Sequence, residues 1–311
     1  MPPYKEPQTL EKLSCEVLLA VLYHLTIKHD HDVTQSAARR QFLLANVLPN
    51  IKQKLVSTIT SALNQDLNIT CKLLDYTLDS STTGLDLCKR NFSNFSFPVE
   101  QVQTVYRLLV RAEPSALERL CMGITAGAPV EEHEEDEKEV LVNWYTGSTG
   151  TKRKAEEISK VLVYNSYIYP TLEKMKKLRH VVLHGVCDNQ TMSIMGQYCP
   201  LLQYLDITGS NDVTDVGIQN LVFPLAIQKA GRVNLVNTRA RTNPAAKQLH
   251  TVMARATGVD MTGCIILLQF CPRLTKGGGR LEHESVGDAI YTLNKKLKVT
   301  NIILKGNHKS E

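Results

Sequence analysis

The sequence predicts a right-handed α/β solenoid, short parallel strands alternating with helices, entered through a helical N-terminal segment. Three observations carry that prediction. First, Leu178-Arg-His-Val181-Val-Leu183-His-Gly-Val186 and Leu202-Gln-Tyr-Leu205-Asp-Ile207-Thr-Gly-Ser210 share one template and begin 24 residues apart. Second, Val213-Thr-Asp215-Val-Gly-Ile218-Gln-Asn-Leu221 follows with helical spacing, and Thr214 or Asp215 is placed to cap free amides at its start. Third, leucine leads the apolar residues, while aromatics make up only 6% and the single tryptophan is Trp144. That composition argues against a carbohydrate platform or a base-stacking surface.

The period has a physical reason. A short strand turns alternate apolar side chains inward, and the following helix lays a second apolar stripe over the same core. No single unit buries its own apolar face, so stability comes from stacking on its neighbours. A chain of this length is expected to hold about six to eight such units.

Along the chain, residues 8–27 come first, with apolar positions at 10, 13, 17, 18, 21, 22 and 25 that are read as one helical face. Leu85-Asp-Leu87 is a fragment of the strand template. Weaker copies begin at Leu117, Ile158 and, fainter still, Leu249. The acidic run Glu131–Glu139 reads as part of a loop insertion near 128–157. Cys199-Pro200 and Cys271-Pro272 end their helices, because proline stops a helix at the residue before it. The pattern is poor between Val222 and Thr257, and Gly277-Gly-Gly279 sits where a strand should follow Leu274. Val299-x-x-Ile302-x-Leu304-x-x-Asn307 restates the template near the end. The division is therefore a helical segment over 1–70 and a solenoid over 71–311, with degenerate coils near 222–257.

Residues Cys199 to Leu221 resemble the cysteine-containing subclass of leucine-rich repeats, roughly C-P-x-L-x-x-L-D-L-x-x-C-x-x-(I/V)-T-D-x-G-(I/L)-x-x-L. Ser210 stands at the second cysteine. This subclass is characteristic of F-box leucine-rich-repeat proteins and of the antagonist of mitotic exit network family. Leu13-Ser-Cys-Glu16-Val17-Leu18-Leu19-Ala-Val21-Leu22-Tyr-His-Leu25 resembles the opening of an F-box, with Ser14 in the proline place. The same stretch resembles an Elongin-binding box starting at Thr9-Leu10. Leu48-Pro-Asn-Ile-Lys-Gln-Lys-Leu55 is similar to the segment that precedes the repeats in the mitotic-exit family.

The resemblance implies a substrate-recognition subunit of a cullin-RING (SCF-type) ubiquitin ligase, acting in ubiquitin-dependent protein degradation. Leu10, Leu13, Leu18, Leu22 and Leu25 would dock an Skp-type or Elongin-type adaptor and its cullin. The plainer alternative is that this helix only caps the open end of the solenoid. Strand alternation places His180, Val182, His184, Tyr204, Asp206 and Thr208 on the face offered to a protein substrate, with Thr300, Asn301, Ile303 and Lys305 extending the row. Such positions are also ordinary solvated strand residues.

Catalysis and cofactors are not expected. The eight cysteines form no CxxC pair and read as small buried hydrophobes. His29-Asp-His31-Asp32 lacks a third ligand partner and reads as a solvated loop. Gly277-Gly-Gly-Arg280 is not a P-loop, and neither G-x-S-x-G nor G-x-G-x-x-G occurs. The opening MPPYKEPQTLEKL is not a secretory signal, and no apolar run reaches the ~18 residues of a membrane span, so the expected location is cytoplasmic, nuclear or both. Two other classes remain: a scaffold without ligase association, and weak nucleic-acid binding through the acid-free segment 222–259 with Lys229, Arg232, Arg239, Arg241, Lys247 and Arg255. The net charge of +5 is too mild to decide for the latter.

Overall fold

The computed structural model describes residues 9–28, 33–61, 67–88, 99–123, 165–224, 242–276 and 279–297. Four helices come first: α1 (Leu10–Lys28), α2 (Val33–Asn46), α3 (Pro49–Ser61) and α4 (Leu67–Thr77). Six strands follow: β1 (Gly84–Asp86), β2 (Arg119–Gly123), β3 (His180–His184), β4 (Tyr204–Asp206), β5 (Thr251–Met253) and β6 (Arg280–Glu282). Between them lie α5 (Val99–Ala112), α6 (residues 165–172), α7 (Asn189–Tyr198), α8 (Asp215–Val222), α9 (Pro244–Gln248), α10 (Met261–Phe270) and α11 (Pro272–Lys276). The last is α12 (Val286–Leu297).

All six strands are parallel and lie in strict chain order. A doubly wound sheet reverses its strand order at a switch point; this one does not. The molecule is thus an α/β protein with an all-parallel sheet alternating with helices, as a solenoid-like fold requires.

Register explains the apolar template. Leu85, Leu120, Val181, Leu205, Val252 and Leu281 are aligned in one column across the sheet, each at most 7% exposed. Three residues earlier, Leu117, Leu178, Leu202 and Leu249 form a second, fully buried column. The faint copies at Leu117 and Leu249 and the fragment at Leu85 are therefore strands of the sheet. β6 follows the glycine run at Arg280. β5 and the short α9 lie inside the stretch where the sequence pattern fails. The copies at Ile158 and Val299, the acidic run, the row Thr300, Asn301, Ile303 and Lys305, and His29–Asp32 fall outside the described residues.

The helices that follow β3, β4, β5 and β6 stack in order, α7 on α8, α8 on α10 and α10 on α12. Their N-termini are tied coil to coil. Asn189 Oδ1 at the first turn of α7 accepts from the Thr214 amide that opens α8 (2.9 Å). One coil on, Asp215 Oδ1 accepts from the Asp260 amide that opens α10 (2.9 Å) and from Gly263 N (3.0 Å). Asp188 caps α7 through Thr191 N at 2.7 Å, and Cys199 and Cys271 are the last caps of α7 and α10. Thr214 sits at its cap position with no side-chain bond to the amides of α8, and its hydroxyl accepts instead from Asn189 Nδ2 at 3.1 Å.

The N-terminal helices close the free edge of β1. Gln53 of α3 accepts from Thr83 N (2.9 Å) and Gly84 N (3.1 Å) and donates to Gly84 O (2.9 Å), so one side-chain amide stands in for a neighbouring strand. Arg40 Nε donates to Asp75 O at the end of α4 (2.7 Å), and Lys52 pairs with Asp79. Beneath these lie buried Leu22, Leu55, Val56, Ile59 and Leu74.

Helix α1 does not have one apolar face but two. Cys15, Leu22 and Thr26 are buried, with Leu18 and Leu25 half-buried beside them, whereas Leu13 (46%), Val17 (60%) and Val21 (48%) stand in water. These exposed residues repeat at i, i+4 and i+8, which makes a second stripe. Leu10 lies in the helix as expected. Among the described residues no helix is long and apolar enough to cross a membrane.

Candidate functional site

Alternation along the strands sets two rows of side chains on the face away from the leucine column. One runs Arg119, His180, Tyr204, Thr251 and Arg280; the other runs Asp86, Cys121, Val182, Asp206, Met253 and Glu282. His180, Val182, Tyr204 and Asp206 thus share this face, as alternation requires, and His184 lies beyond Val182 at the end of β3.

Neighbouring coils bind these side chains to one another. The His180 and Tyr204 rings stack with centroids 4.1 Å apart and planes 11° from parallel. The Tyr204 hydroxyl donates to Met253 Sδ at 2.9 Å. His184 Nε2 lies 2.9 Å from Asp206 Oδ2, and Thr208 N donates to Asp206 Oδ1 at 3.0 Å. His184 also leans over Gly123, where a Cβ would come within 2.7 Å of the His184 Cβ. Glu282 takes Arg255 at 2.9 Å and Arg280.

Exposure is unequal along the rows. Val182 is 8%, Asp206 6% and Thr208 5% exposed, so they form a floor rather than a contact surface. His180, His184 and Tyr204 are half-buried, and Arg119, Arg255 and Arg280 stand out. Arg119 and Arg280 escape a sequence reading of the strand face built on two clear repeats, because the strand of Arg119 belongs to a weak copy and that of Arg280 matches no copy.

Electrostatics follow from this packing. Burial alone would raise the Asp206 carboxyl, but His184 together with the Thr208 hydroxyl and amide outweighs it and holds Asp206 below its ordinary value. Burial, then the Arg119 charge, lowers His180, so its ring is neutral near pH 7. The Tyr204 hydroxyl is raised by burial and then by Asp206.

None of the eight cysteines is in a disulfide, and all but the half-buried Cys88 are buried. Burial pushes Cys199 and Cys271 up to about 12, and Cys264 likewise with help from Asp215. Among the described residues no group of three or more His, Cys, Asp or Glu is placed to hold a metal ion.

Ser210, at the second-cysteine position, has a structural task. Its hydroxyl donates to Leu183 O (3.0 Å) and accepts from Cys187 N (3.2 Å), joining the coil of β4 to that of β3. The face is therefore a set of polar and aromatic side chains fixed by bonds between neighbouring strands. No protein-family model matches the chain, and no curated protein matches its sequence.

Proposed function

We propose that the chain is a non-catalytic leucine-rich-repeat solenoid that serves as the substrate-recognition subunit of a cullin-type ubiquitin ligase. Support for the repeat reading comes from the chain-ordered parallel sheet, the aligned apolar columns and the stacked helices that follow the later strands. The observation that carries the ligase reading is the second stripe of α1. Leu13, Val17 and Val21 are not needed for capping the sheet, which Gln53 and the buried face already do. An apolar stripe left in water on a helix resembling an F-box opening suits an apolar groove on an Skp-type or Elongin-type adaptor. The protein performs no bond chemistry in this role; it raises the effective concentration of substrate at the ligase.

The test is affinity purification of the full chain from cells, followed by mass spectrometry, beside a Val17→Glu, Val21→Glu variant. An adaptor and cullin are expected with the parent chain and lost with the variant, while both chains melt alike because neither position is in the core. Recovery of no adaptor or cullin with the parent leaves a binding scaffold and ends the ligase reading. Leu22, at 1% exposure, is unsuited to this test because its replacement attacks the core.

A further inference from the structure

We propose that Arg119, His180 and Tyr204 are the specificity-determining contact of the strand face, and that they take an extended acidic segment of a partner protein. This rests on the reading of the strand face as the substrate surface and adds the chemistry of what it holds.

The carboxylates nearby are already committed. Asp206 is held by His184 and Thr208, Glu282 by Arg255 and Arg280, and Glu118 faces Arg179 at 4.0 Å. Asp86 accepts from the Cys88 amide at 3.1 Å. Arg119 is exposed and carries no ion pair among the described residues. The strand position beside it is Gly84, and a Cβ there would lie 3.9 Å from Arg119 Nε and 3.6 Å from Gln53 Nε2. The missing side chain leaves a shallow, methyl-sized hollow beside the guanidinium, which stays open to a planar carboxylate, while the Gln53 amide remains bound to the β1 backbone.

Beside that hollow stands the His180–Tyr204 stack, fixed by its 4.1 Å ring contact and by the Tyr204 bond to Met253. A platform already ordered loses little entropy when a partner side chain lies on it, and arginine and tyrosine are the residues over-represented at interface hot spots. Arg119 and Tyr204 are two strands apart, about 10 Å, which an extended chain covers in about three residues. The partner segment therefore places an aspartate or glutamate about three positions from an aromatic or large aliphatic residue.

The probe is a random-peptide phage library selected on the full chain, with fluorescence polarisation on synthetic copies of the selected peptides. The expected consensus carries the acidic–aromatic pair. Arg119→Ala and Tyr204→Ala should each weaken binding about tenfold, Arg119→Lys less, and Arg119→Glu should redirect selection toward basic peptides. Unchanged melting temperatures confirm that the exposed arginine acts by contact. The proposal is overturned if nothing is selected, if the consensus lacks acidic residues, or if Arg119→Ala and Tyr204→Ala bind as the parent does. Peptides lost instead on Met253→Ala leave the strand face as the substrate surface and remove only this contact. Peptides indifferent to every strand-face substitution remove the surface itself. A peptide of residues 131–139 that binds tightly through Arg119, or an Arg119-dependent dimer in sedimentation, assigns the hollow to this chain's own acid or to a second copy and likewise overturns the proposal.

Discussion

At the scale of single residues, the eighth place of the repeat template needs a left-handed backbone. Gly185 (φ 67°) and Gly209 (φ 77°) supply it after β3 and β4. Their amides donate to Thr208 O at 3.1 Å and Arg255 O at 2.9 Å, locking each strand exit to the next coil. The same place in the weak copy starting at Leu249 is Ala256, whose φ is 49°. An L side chain there costs roughly 1 kcal/mol that glycine does not. Ala256→Gly is therefore expected to raise stability by up to about 1 kcal/mol, less what the unfolded chain gains in freedom. Urea unfolding checks it, and an unchanged or lowered midpoint counts against the strain. The position was legible in the sequence only once Leu249 was accepted as a repeat, since alanine carries no turn signal of its own.

Among the elements, the helices are spaced by side chains reaching between coils. Glycine at the third residue of α8 and α10 admits the first-turn side chain of the helix before it. A Cβ on Gly217 would stand 2.3 Å from Asn189 Oδ1, and one on Gly263 2.5 Å from Asp215 Oδ1. Gly217→Ala and Gly263→Ala should each destabilise by about 1–3 kcal/mol, because the helices must part or surrender their ties. Gly287 in α12 meets nothing within 4 Å, so Gly287→Ala should be neutral or stabilising by a few tenths to about 1 kcal/mol. Thermal melts of the three variants decide this, and equal effects would mean that the glycines are not spacers. The sequence motif T-D-x-G holds Asp215 and Gly217, but nothing in it says that the aspartate serves the following coil rather than its own helix.

For the whole molecule, the long steps between strands interrupt the sheet without breaking it. Val181 and Leu205 are 24 residues apart in sequence and 47 separate Leu205 from Val252, yet both pairs are adjacent in the sheet. Pro224 and Thr242 are the described residues on either side of the 225–241 segment. Asn243 N donates to Val222 O at 2.8 Å, and its side chain donates to Asn220 O and Leu221 O, each at 3.0 Å. Asn243 thus completes the open carbonyl end of α8. Asn243→Ala should lower stability by about 1–3 kcal/mol, because it leaves the Asn220 and Leu221 carbonyls without their side-chain donor. Thermal melting checks it, and an unchanged midpoint would mean that these bonds do not hold the end of α8.

By itself the sequence determined the alternation of short strands with helices, the identity of the inward residues in the two clear coils, and the helix stops at Cys199 and Cys271. Those features are local: alternation, capping and proline each act within a few residues. The count and order of strands, the double face of α1 and the pairing of His180 with Tyr204 were decided by tertiary structure. Leu85, Leu120, Val252 and Leu281 become a column only when coils stack, because burial there depends on neighbours contributed from distant sequence. The same cause splits α1: Leu22 and Val17 are both apolar, and only packing against α3 and α4 buries the first and leaves the second in water.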